Sequence, residues 1–132
     1  MKLPVTRTKI QTRYSDTDAL GHISSGSYVT FMEVGRLDFY GRVFDAIGRK
    51  FETVVANIHL DYLHECRYGE DIEVVSWCSH VGSKSLKICS DIYASGKLVA
   101  KGSTVNVMFN SMTRKSELLP EGWEVSDYDC GC

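Results

Sequence analysis

Between Pro4 and Pro120 the chain runs without a proline, and within that stretch its hydrophobic period changes once, near residue 52. Before the change, Tyr28, Phe31, Met32, Gly35 and Phe39 recur at spacings of three and four in a stretch from Ser25 to about Tyr40, which is the stripe of one helix face. Ser24 or Ser25 supplies an N-cap, Gly41 supplies a stop, and Gly35 on the stripe implies close packing. After the change, Val54, Ala56, Ile58, Leu60 and Tyr62 alternate with Val55, Asn57, His59, Asp61 and Leu63, the period of a strand. Three more strands are expected at about 70–81, 85–95 and 98–110. They are separated by Arg67-Tyr68-Gly69-Glu70, Val81-Gly82-Ser83-Lys84 and Ser95-Gly96-Lys97, each of hairpin length. Residues 5–14 alternate with many polar side chains, as a partly exposed outer strand does. The pattern predicts an α+β layer pair, one long helix on the concave face of a curved antiparallel sheet of about five strands, the last four forming a meander. Residues 1–118 carry the domain, and 119–132 read as a polar tail.

A chain of 132 residues is one domain, so a site walled by two domains requires an oligomer. Fifteen basic against seventeen acidic residues give a net charge of −2, which excludes a role coating nucleic acid. No apolar run approaches the roughly 20 residues of a spanning helix. The start, Met1-Lys2-Leu3-Pro4, lacks a signal-peptide core, and a cytoplasmic protein is expected. Of the five cysteines, Cys66, Cys78 and Cys89 lie in apolar stretches and are expected to be reduced. Cys130-Gly131-Cys132 lacks the further ligands of a zinc site, and the four histidines include no helical pair, so neither metal nor cofactor is expected. Nucleotide-binding glycine motifs and a Gly-x-Ser-x-Gly elbow are both missing. Ser24-Ser25-Gly26-Ser27 suits helix capping instead.

The sharpest local feature is Asp16-x-Asp18, two carboxylates in the turn-rich segment Ser15-Asp16-Thr17-Asp18-Ala19-Leu20-Gly21-His22 just ahead of the helix. A carboxylate there can activate water or attack a carbonyl, while unpaired first-turn amides stabilise the oxyanion that develops, which is what thioester hydrolysis needs. The same spacing also serves a purely structural purpose, since aspartates ahead of a helix cap it and favour its dipole.

The segment Arg13-Tyr14-Ser15-Asp16-Thr17-Asp18-Ala19-Leu20-Gly21-His22-Ile23, followed by Tyr28, Glu33 and Arg36, resembles the hotdog-fold acyl-CoA thioesterases of the 4-hydroxybenzoyl-CoA thioesterase type. The resemblance spans about residues 5–118. It implies a central helix wrapped by the sheet, two subunits joined through their sheets, and active sites at the dimer interface. By the same resemblance Asp18 is the catalytic carboxylate, Ser25 and Gly26 carry the oxyanion amide, and Asp16 is structural. Tyr14 falls beside the carboxylate, Tyr28 lines the acyl pocket, and the hairpin with Lys84 and Ser85 meets the coenzyme A phosphates. Ser24 and Ser25 depart from the Asn-Asn, or second-position histidine, of the family's branches. His22 either assists the chemistry or, as more often in the Gly-His motif, holds the turn, and Glu33, a rival acid in another branch, is read as an ion pair with Arg36. The implied activity is hydrolysis of an acyl-CoA thioester to free acid and coenzyme A by a homodimer or homotetramer, with acyl-carrier-protein thioesters as alternative substrates. The rival readings are a hotdog module that binds acyl-CoA or acyl-carrier protein without turnover, and an enoyl thioester hydratase.

Overall fold

The structure, a computed structural model, describes residues 1–128. Cys130 and Cys132 lie outside the described residues. The elements run β1 (Thr6–Ile10), α1 (Ser25–Ile47), β2 (Glu52–Tyr62), β3 (Ile72–Val81), β4 (Ser85–Ala94), β5 (Lys97–Asn110) and a two-residue β6 (Lys115–Ser116). A short 3-10 turn at Tyr14–Asp16 stands between β1 and α1. One antiparallel sheet in the order β1-β3-β4-β5-β2 packs one face against α1, which is the architecture expected from the change of period.

The helix is longer than its pattern suggested. It passes through Gly41 and stops at Gly48, which adopts the left-handed conformation (φ 73°) and donates its N–H to the Phe44 carbonyl at 2.9 Å. Keeping Gly41 inside a helix costs about 1 kcal/mol. The two further turns bury Val43 and pack Phe44 and Ile47 against Leu86, Ile88, Met108 and Trp123, which outweighs it. The predicted stripe is otherwise correct, since Tyr28, Phe31, Met32, Gly35 and Phe39 are all buried. At Gly35 helix and sheet approach closely: a Cβ there would lie 2.7 Å from Val74 Cγ1 and 2.8 Å from Ser76 Oγ.

The sheet departs from a simple four-strand meander. β3, β4 and β5 are joined by hairpins, the second through Ser95 and Gly96 with φ of 49° and 82°. β2, however, pairs with β5 and lies at the opposite edge from β1, because residues 63–71 cross one end of the sheet instead of folding straight back. The Gly69 turn (φ 90°) falls inside that crossing. The outer strand is also shorter than residues 5–14, as only Thr6–Ile10 pair with β3.

From Leu119 to Ser126 the chain is packed, not loose. Leu119 and Trp123 are buried in the cluster at the C-terminal end of α1, and Trp123 lies 5.6 Å from the Phe51 ring. Ser126 exchanges backbone and side-chain hydrogen bonds with Cys78. Cys66 and Cys78 are free and buried, so the expectation of reduced thiols holds for these two and does not extend to Cys89.

Candidate active site

The residues from Asp16 to Ser24 form a small hairpin that hangs from the start of α1. Ser24 donates its N–H to the Asp16 carbonyl at 2.7 Å, Thr17 bridges Ile23, and Asp18 donates its N–H to the His22 carbonyl at 2.8 Å. The tip turns at Gly21, whose φ of 80° favours glycine. Ile23 ties the hairpin to the crossing segment by donating to the Cys66 carbonyl at 2.7 Å, and His22 Nε2 lies 2.9 Å from Glu65.

The two aspartates have separate employment. Asp16 is 4% exposed and its carboxylate accepts from the Arg13 N–H at 2.8 Å, the Arg13 guanidinium at 3.2 Å and the Ser27 hydroxyl at 3.4 Å. Burial pushes its pKa up, but the backbone and guanidinium donors of Arg13 together with Ser27 outweigh burial and hold it below the usual carboxylate value. Its carbonyl also accepts from the hydroxyls of Ser24 and Ser27, each at 3.1 Å. Asp16 thus rivets hairpin to helix and is spent on structure.

Asp18 lies two residues further out, roughly 7 Å along the hairpin, and is exposed. Its Oδ1 accepts from the backbone N–H groups of Leu20 at 2.8 Å and His22 at 3.1 Å. These bonds fix the carboxylate by one oxygen, and Oδ2 accepts no bond among the described residues. A carboxylate oriented by one oxygen and free at the other is what a base or nucleophile requires.

At the helix start, the Ser24 hydroxyl is turned toward Asp16 and Ser27, so it caps no amide of α1. Ser27 donates its N–H to the Ser24 carbonyl at 3.0 Å. The N–H groups of Ser25 and Gly26 precede the first intrahelical bonds, both residues are exposed, and a Cβ on Gly26 would meet nothing within 4 Å. A carbonyl oxygen can therefore approach these amides at the positive end of the helix dipole.

The aromatic residues divide. Tyr28 is 3% exposed beneath Tyr62, whose ring meets it edge-on at a centroid distance of 5.2 Å. Burial, with smaller contributions from neighbouring groups, pushes its phenol up to about 12, so it is neutral and forms wall, not acid. Tyr14 is exposed, 6.5 Å from the Tyr68 ring beside the hairpin. Cys66, beneath the hairpin, is also pushed up to about 12, by burial first and by Glu70 second, and stays a thiol.

Not every expected residue comes together in one chain. Lys84 is exposed and Ser85 half-buried in the β3–β4 hairpin, at the far end of the ten-residue β3 from the Asp18 hairpin, roughly 30 Å away. Glu33 is exposed on α1 and forms no ion pair with Arg36 among the described residues. Such an exposed pair offers only about 0.2–0.5 kcal/mol against the entropy of ordering two long side chains. Tyr62 and Ser27 join this candidate site although sequence reasoning gave them no part in it, and Ser24, expected as a cap, turns its hydroxyl to Asp16 instead. Tyr62 ended an alternating strand pattern, and only its position at the end nearest the helix could have signalled it.

Comparison with known proteins agrees with this fold. The thioesterase-like superfamily matches residues 12–124. A predicted thioesterase from Bacillus stearothermophilus is 30% identical and superposes with a TM-score of 0.80, covering 89% of this chain and 90% of that one. A DHNA-CoA thioesterase from Staphylococcus aureus is 27% identical, with a TM-score of 0.78 over 90% of this chain and 82% of its own. A Thermus thermophilus thioesterase complexed with coenzyme A and Zn is 27% identical, with a TM-score of 0.76 over 87% of this chain and 85% of its own. Among curated relatives, the Bacillus subtilis proteins YneP and YsmA are 30% identical over 77 residues and 28% identical over 81. Those matches cover 55% and 61% of this chain but 56% and 55% of the relatives, so they span about half the relatives' length. With hairpin, helix and sheet all inside the family match, the chain has the hotdog fold and belongs to the thioesterase-like superfamily.

Proposed function

We propose that the protein hydrolyses acyl-CoA thioesters to a free acid and coenzyme A. The observation that carries the proposal is the Asp18 carboxylate, pinned through Oδ1 with Oδ2 open, on a hairpin hung from a helix start whose Ser25 and Gly26 amides are uncapped. In this reading the thioester carbonyl oxygen lies against those amides. Attack at the carbonyl carbon comes from a water that gives its proton to Asp18, or from the carboxylate itself, which water then displaces. The amides stabilise the oxyanion, the C–S bond breaks, and the departing thiolate of coenzyme A takes up a proton. Because the acceptors of charge are backbone dipoles already in place, nothing reorganises as the charge develops.

The active unit in this reading is at least a dimer joined along β2. That strand ends the sheet order, is eleven residues long, and exposes Val54, Val55, Ile58 and Tyr62. A long apolar edge of this kind is a template for pairing with a second chain. Two-fold antiparallel pairing sets the Glu52 end of one β2 against the Tyr62 end of the other, which brings each chain's far hairpin toward its partner's Asp18 end. Tyr14 and Tyr28 then flank the acyl group, and Lys84 with Ser85 meets the phosphates of coenzyme A. A thiol-release assay over short, long and aromatic acyl-CoAs, with acyl-carrier-protein thioesters beside them, tests the proposal. Turnover of at least one class supports it, and stoichiometric binding without thiol release from any of them overturns it.

A further inference from the structure

Tyr62 closes β2 at the point where that strand passes the start of α1. Its hydroxyl donates to the Ser25 carbonyl oxygen at 2.7 Å, while its ring stands edge-on to the buried Tyr28 at 5.2 Å. The carbonyl of Ser25 and the N–H of Gly26 belong to one planar peptide unit and point in opposite directions. A donor that holds the Ser25 oxygen therefore fixes the plane in which the Gly26 N–H lies. It also draws electron density toward the oxygen, which makes the Gly26 N–H a stronger donor. Tyr62 is the only side chain that bonds to this peptide among the described residues, since the hydroxyls of Ser24 and Ser27 are committed to Asp16.

We infer that Tyr62 is a positioning residue for thioester hydrolysis: through its bond to the Ser25 carbonyl it aims and polarises the Gly26 amide that receives the oxyanion. The inference rests on the acyl-thioester reading above and adds to it a side chain that touches no reacting atom. Its effect grows as charge gathers on the substrate oxygen, so it acts on the transition state more than on the bound thioester.

Tyr62→Phe is the test, because it keeps the ring on Tyr28 and deletes the donor. With an acyl-CoA that the wild type hydrolyses, kcat is expected to fall about five- to twenty-fold while KM changes less than two-fold. A trifluoromethyl ketone analogue of that acyl-CoA, which binds as a tetrahedral adduct, should lose affinity by a similar factor, while the unreactive thioether analogue should bind as before. A merely structural role would weaken both analogues or neither. Oligomeric state and Tm are recorded alongside. If Tyr62→Phe disturbs either, 3-fluorotyrosine introduced at position 62 replaces it, and its more acidic hydroxyl should hold or raise kcat. Unchanged kcat in Tyr62→Phe, or equal losses for the two analogues, overturns the inference. Asp18→Asn, measured in parallel, separates the two failures. If Asp18→Asn is inactive and Tyr62→Phe is normal, only the role of Tyr62 falls. If Asp18→Asn keeps the wild-type rate, the catalytic reading beneath it falls.

Discussion

Two aspartates of the same sequence motif, two residues apart, end in opposite environments, and the difference is made by what their oxygens touch. Asp16 is buried and paired with Arg13, and replacing it with Asn removes the ion pair while leaving a buried amide poorly matched to its donors. The expected cost is about 1–3 kcal/mol, read as a lower Tm. Acid should expose the same bond. The folded-state pKa of Asp16 is lowered, so its stabilisation is fully present above the unfolded value, near 3.9, and is lost as pH falls through the folded one. Wild-type Tm should therefore drop more steeply below about pH 4 than that of Asp16→Asn. Parallel melting curves of equal slope across pH 2–5 would contradict this. The motif itself was legible in the sequence, but spacing treats both carboxylates alike, and the choice of Asp18 came from family resemblance. The contacts that fix Asp16 run to Arg13, three residues back, and to Ser24 and Ser27 at the helix start, and no spacing rule reads the latter pair.

At the scale of elements, the helix and strands were readable because they are written in local periods, and the errors lie where a longer-range term wins. Gly41 looked like a stop, yet burial of Val43 beyond it extends α1 to Ile47. The strands were found, but their order was not, since nothing local states that residues 63–71 cross the sheet and place β2 beside β5. Tyr62 was missed for the same reason, as its bond to Ser25 joins residues 37 apart in the chain. Gly35 was read correctly from its place on the stripe, and its closeness to the sheet makes a direct prediction. Gly35→Ala must displace Val74 or lift the helix, at about 1–3 kcal/mol, because a methyl there overlaps both Val74 and Ser76. Calorimetry should show a Tm lower by several degrees. A Tm equal to or above wild type would mean that the helix–sheet seam is looser than its geometry.

For the whole molecule, the exposed β2 edge and the distance between the Asp18 hairpin and Lys84 both point to a site completed by a second copy. Ile58 is 49% exposed on that edge, and if the proposed dimer forms there, Ile58→Lys should yield monomers in light scattering and lower activity together. A monomer at full specific activity would refute the shared site. If the partner supplies Lys84, dimers mixed from Asp18→Asn and Lys84→Ala chains hold one intact site each. They should then show wild-type KM at about half the wild-type kcat, whereas the unmixed Lys84→Ala dimer shows raised KM with little change in kcat. The claim on which all of this depends is that Asp18 performs the chemistry, and the most direct measurement is thiol release by Asp18→Asn. Asn keeps the size and much of the turn-forming capacity of Asp18, so stability should stay within about 1 kcal/mol. Loss of a general base typically costs about a hundred- to ten-thousand-fold. The expected result is a kcat lower by at least about two decades at nearly unchanged Tm; a near-wild-type rate in a folded Asp18→Asn would contradict it and make Glu33→Gln the next variant to measure.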